Sequence, residues 1–113
     1  RGNDASLEPE HLEPATPLQV LLRMLNNLKQ LAIGDGRLDD ALRWSGRILM
    51  AEPGLIGEHG DRALLLERSG RTEEAIEALQ RLRAGVTDSA LADRIDQRID
   101  LLRGRGDDGR TVH

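Results

Sequence analysis

Two stretches of this chain carry one pattern: glycine, arginine, any residue, two acids, then alanine. They are Gly36-Arg37-Leu38-Asp39-Asp40-Ala41 and Gly70-Arg71-Thr72-Glu73-Glu74-Ala75, offset by 34 residues. Glycine supplies positive φ in a turn at little steric cost. Acids just after it suit the positive end of a helix that starts there. An alanine at the same place in each copy lets a neighbouring backbone approach. Each copy therefore reads as the turn between two antiparallel helices and the start of the second. A period of 34 is the unit length of a helix-turn-helix solenoid, whose units must stack to bury their apolar faces.

The chain has 113 residues, enough for one domain. Its one aromatic is Trp44, so the core must be built from branched aliphatics and alanine. That suits thin, closely packed helix layers. No cysteine is present, which excludes a disulfide framework, a thiol nucleophile and thiolate metal ligands. It fits a reducing compartment, and a cytoplasmic location is the expectation. The 16 basic and 20 acidic residues are interspersed, for a net charge of −4. Nucleic-acid binding needs a concentrated basic face, which this pattern lacks. No stretch is long and apolar enough to span a membrane. The first residue is Arg1, and the opening residues read like a linker, so the chain is expected to be a fragment of something longer.

Residues 1–16 are rich in Glu, Pro and small polar residues, and read as a flexible tether. Thr16-Pro17 marks a helix start, with Thr as cap and Pro in the first turn. Leu18, Leu21, Leu22, Leu25, Leu28, Leu31 and Ala32 follow at helical spacing, predicting one apolar face before Gly34 and Gly36. A second helix is predicted over 38–51, stopped by Pro53-Gly54. A third covers 55–68. Glu58 and Arg62 stand four apart on it, as Asp39 and Arg43 do on the second, and both read as surface ion pairs. Thr72 is expected to cap a fourth helix, which runs to Ala84 and Gly85. A fifth follows Thr87-Asp88 and ends at Arg103. Its narrow stripe of Leu91, Ile95, Ile99 and Leu102 suits a terminal cap. Residues 104–113 read as a disordered tail.

Ala41 and Ala75 share one repeat position, and Ala63 precedes Ala75 by 12 residues on the facing helix. Lys29 stands where the first copy would have its Ala63, and Pro53 closes the first hairpin where the second has Thr87. This spacing resembles the tetratricopeptide repeat over about residues 22–89. Three positions that usually hold large aromatics carry Leu25, Ala32 and Ser45 in the first copy and His59, Leu66 and Leu79 in the second. The resemblance implies an inner face lined by Arg23, Asn26, Gln30, Leu64, Glu67 and Arg68, and binding of protein or peptide there. A narrower resemblance rests on Pro14-Ala15-Thr16-Pro17, Arg23-Met24-Leu25-Asn26-Asn27-Leu28-Lys29 and Gly60-Asp61-Arg62-Ala63-Leu64-Leu65. These strings are similar to the carboxyl-terminal part of the SirB-type bacterial transglutaminase-like proteins. In that family a transglutaminase-like core precedes a short tetratricopeptide segment. The resemblance implies an accessory domain with no catalytic residue of its own.

Asn27, Lys29, Asp61 and Arg62 are the polar residues of those strings, on the first helices of successive hairpins. They read either as an internal hydrogen-bond and ion-pair network or as a docking patch for an upstream core. His59 between Glu58 and Asp61 suggests a metal or acid–base role, but no second ligand stands four residues away. Trp44 reads as packing or as a binding anchor. Arg81 and Arg83 complement a helix dipole. No phosphate loop or catalytic triad appears.

The expectation is an all-α fold: two tetratricopeptide-like hairpins over residues 17–103 with a carboxyl-terminal capping helix, a short right-handed α-solenoid. The expected function is protein–protein interaction, not catalysis, with no cofactor or metal. The expected partner is a protein or peptide, its own upstream domain included, and neither nucleic acid nor membrane. The candidate face is Arg23, Asn26, Asn27, Gln30, Asp61, Arg62, Leu64, Glu67 and Arg68. Alternatives are the inert half of a transglutaminase- or protease-like enzyme, and a module that self-associates into a dimer through its solenoid ends.

Overall fold

The computed structural model describes residues 14–111. Among them are five α-helices and no strand: α1 (Pro17–Gly34), α2 (Leu38–Ala51), α3 (Ile56–Arg68), α4 (Thr72–Ala84) and α5 (Ser89–Thr111). Each helix packs on the next in sequence, so the chain forms two hairpins, α1–α2 and α3–α4, with α5 laid against α4. Residues 1–13 of the linker expected over 1–16 lie outside the described residues.

The hairpin turns explain the repeated sequence. At the end of α1, Gly36 takes φ +75°, its N–H donates to the Ile33 carbonyl, and the Arg37 N–H reaches Ala32. At the end of α3, Gly70 takes φ +78°, its N–H donates to Glu67, and the Arg71 N–H reaches Leu66. This pair of bonds needs a left-handed residue, which glycine adopts without Cβ strain. The arginines then stand just ahead of α2 and α4 and pair with the second acid of the motif. Arg37 holds Asp40 at 3.0 Å and Arg71 holds Glu74 at 2.7 Å. Thr72 is therefore inside α4 rather than its cap. The glycine turn closes early enough to place Arg71 at the cap position, as it places Arg37 ahead of Leu38. At α1 the expected cap is present. Thr16 Oγ1 accepts from the Gln19 N–H at 3.1 Å, and Gln19 Oε1 accepts from the Thr16 N–H at 2.9 Å.

The core is aliphatic. Ala32, Ala41, Ala63 and Ala75 are sealed where helices approach, among Leu42, Leu65, Leu66, Leu79, Ile95, Ile99 and Leu102. Trp44 is half-buried against this cluster, with the Arg47 guanidinium 5.1 Å from its ring centre.

Three expectations are corrected. The dry face of α1 is Leu25, Lys29 and Ala32; Leu18, Leu21, Leu28 and Leu31 form a second apolar row left exposed. The dry stripe of α5 begins at Ala92, not at Leu91, because 92, 95, 99 and 102 share the side facing α4. Finally, α5 does not stop at Gly104 but continues to Thr111. Gly104, Gly106 and Gly109 each weaken the helix by about 1 kcal/mol relative to alanine, but no proline follows to end it.

Candidate interaction faces

The polar residues singled out in the sequence separate into three groups. Lys29 occupies a position meant for a small residue and is 1% exposed. Its amine escapes along the hairpin boundary to α3. Nζ donates to both oxygens of Glu58 at 2.9 Å and to Asp61 Oδ2 at 3.0 Å. Burial alone would lower the Lys29 pKa, but these bonds and charges outweigh it and hold the group above its ordinary value. Glu58 is thus not the partner of Arg62. It points inward and is 8% exposed. Arg62 instead donates from Nη1 to the Leu42 carbonyl at 3.1 Å, tying α3 to α2. The second expected surface pair also changes, since Arg43 meets Asp40 rather than Asp39, at 3.3 Å. Asp61 and Arg62 therefore have structural partners, and Asn27, exposed on α1, stands outside the cluster.

Arg23, Asn26 and Gln30 are exposed along one side of α1, and Leu64 and Arg68 along one side of α3. Glu67 is half-buried and bonded across to α5, where Arg98 Nε donates to Oε2 at 3.2 Å and Nη2 to Oε1. This contact brings α5 beside α3 and extends the row in a way the two-copy reading missed. Adding 34 to Asn26 and Gln30 gives Gly60 and Leu64, and adding it again gives Arg94 and Arg98. The signal was present as a third step of the same period. On α5 the row is Leu91, Arg94, Arg98 and Leu101, with both leucines exposed. Together with Leu64, 59% exposed, and Arg68, it makes a basic, leucine-studded surface on an acidic chain.

A cleft of about 210 Å³ opens elsewhere, between α2, α3 and α4, lined by His59, Arg62, Glu74, Glu77 and Arg81 among others. Burial lowers the His59 pKa, Arg81 and Arg62 lower it further, and Glu58 opposes them. No cluster of three or more metal-ligating His, Cys, Asp or Glu side chains occurs among the described residues. No helix among them is long and apolar enough to cross a membrane.

Stacked antiparallel hairpins with glycine turns, alanine contacts and a closing helix define a short helical-repeat solenoid. The family is the tetratricopeptide repeat: its match covers residues 28–100, most of the folded part, and the chain belongs to it. No curated protein and no solved structure gives a significant match. Repeats of this kind generally bind other proteins.

Proposed function

We propose that this domain binds an extended peptide segment of a partner protein across the side formed by α1, α3 and α5. The row of Leu64, Arg68, Leu91, Arg94 and Leu101 carries this reading. It is the exposed surface on which leucines and unpaired arginines alternate at helical spacing. Its complement is a segment with acidic residues between apolar ones. Arg98, held by Glu67, fixes the spacing of α3 and α5 beneath the peptide. The strings shared with SirB-type proteins support a finer reading: an accessory domain of a transglutaminase-like polypeptide, with recognition here and chemistry elsewhere.

Peptide display against the immobilised domain tests the binding. Acidic–apolar sequences should be enriched, and their affinity should fall as salt rises. Leu64→Asp with Arg68→Glu should weaken binding at least tenfold without changing the melt. Failure to enrich, or binding indifferent to both changes, would refute it.

A further inference from the structure

The 34-residue step gives each outward residue of α1 a counterpart in the later copies. Met24 corresponds to Glu58 and Ala92, which are 8% and 5% exposed, whereas Met24 is 57% exposed. Leu31 corresponds to Leu65 and Ile99, at 3% and 6%, and is itself 62% exposed. In the later copies the first helix packs on the second helix of the preceding hairpin, α3 on α2 and α5 on α4, and Glu58 is also met by Lys29 of α1. On α1 no described residue covers this side. Its chemistry is nevertheless that of a covered face. Leu18, Leu21, Met24, Leu28 and Leu31 are all exposed, and Arg23 is the only exposed charged residue of the helix, because Lys29 is buried. The outward side of α5 carries Asp93, Gln97 and Asp100, as a water-facing solenoid end requires.

We propose that a second copy of this chain covers α1, giving a symmetric dimer through the amino-terminal end of the solenoid. Leu21, Met24, Leu28 and Leu31 are spaced three, four and three residues apart, which reads the same in both directions. Two α1 helices laid antiparallel about position 26 place Leu21 against Leu31 and Met24 against Leu28. An isologous contact requires such self-complementarity. Asn27, the polar residue that flanks this row, is uncharged, so the copies do not repel there. Charge depletion with Met and Leu at the centre also marks interface cores rather than free surface. From Leu21 to Leu31 the seam runs about 15 Å along α1. It is a different surface from the proposed peptide row, so either can fail alone.

Sedimentation equilibrium on the full chain, from about 1 to 200 µM, reads the outcome in the range where small interfaces dissociate. The expected mass rises from 12.5 kDa toward twice that value. Met24→Glu with Leu31→Glu, both at exposed sites, should hold the chain at one copy with unchanged circular dichroism. The chain lacks cysteine, so single-cysteine variants test the register. Met24→Cys mixed with Leu28→Cys should oxidise mainly to the mixed dimer. A wild-type chain that stays at one copy throughout overturns the proposal, even if it binds an apolar dye or another protein's helix there. So does a dimer that survives both glutamates.

Discussion

Among the described residues, the one buried ion pair between the two hairpins is held by a single amine, which makes Lys29 the most informative place to perturb. Lys29→Met keeps the length and apolar stem but removes the charge. Glu58 then loses its amine partner at 8% exposure. Stranding a buried carboxylate in this way costs about 3–5 kcal/mol. Asp61 contributes little to the loss because it is 55% exposed and can turn to water. The lower end of the range is therefore expected, about 3 kcal/mol. A domain of this size loses about 4–8 °C per kcal/mol, so Tm should fall by roughly 12–24 °C. Glu58→Met alone should be milder, since Lys29 still reaches the exposed Asp61. The double variant should return to within about 1 kcal/mol of wild type or exceed it, because a matched apolar pair avoids desolvating two charges. Urea melts followed by circular dichroism measure all four corners of this cycle.

The raised pKa of Lys29 adds a pH signature. Protonated Lys29 favours the folded state. Its contribution is complete below the unfolded value near 10.5 and disappears as pH rises through the higher folded value. The gap between wild type and Lys29→Met should stay level through neutral pH and narrow above about pH 10.5. A Lys29→Met loss below about 1 kcal/mol, typical of a surface pair, would refute a buried joint.

Three further outcomes follow from local geometry. A Cβ at Gly85 would lie 2.5–3.1 Å from Ile56 side-chain carbons, so Gly85→Ala should cost about 1–2 kcal/mol in urea melts, less when Ile56 is also trimmed to Ala. The Ser45 hydroxyl is buried without a hydrogen-bond partner, so Ser45→Ala should be neutral or stabilise by up to about 1 kcal/mol; a clear loss would reveal a partner. His59 has a lowered pKa, so the folded state favours its neutral form. Its stability contribution is present above about pH 6.5 and falls as pH drops toward the folded value; His59→Gln should flatten the Tm profile below pH 6.5.

What could be read from the residues alone was set by what repeats. The turns are built from backbone bonds that need glycine, so Gly36 and Gly70 announced them by identity and spacing. The alanines did the same for helix contacts. The joints between units use different chemistry each time: Lys29 with Glu58, Arg62 with the Leu42 carbonyl, Arg98 with Glu67, and Ile56 over Gly85. A period cannot disclose contacts that differ from copy to copy. Spacing of four along α3 suggested that Glu58 faces Arg62. It could not show that a lysine from another helix would reach the carboxylate first. The leucines of α1 misled for a related reason. Helical spacing shows that they share a side of the helix, but not whether that side meets a neighbour.

The buried amine and the exposed leucines are linked through that same helix. In the second copy Ala63 occupies the position of Lys29, and the small side chain lets the hairpin close on itself with no charge to place. Lysine at that position moves the first hairpin's main polar tie forward onto α3, leaving the row from Leu21 to Leu31 without a charge. Leu21, Met24, Leu28 and Leu31 therefore lose nothing electrostatic when another surface covers them, and water is the poorest environment available to them. Moving a charge onto this row should raise solubility and abolish association while leaving the Lys29 joint intact, because the exposed row lies on a different side of α1 from the buried Leu25, Lys29 and Ala32. If Met24→Glu instead lowered Tm as much as Lys29→Met, the two sides of α1 would be coupled, and the separation of stacking from docking would be wrong.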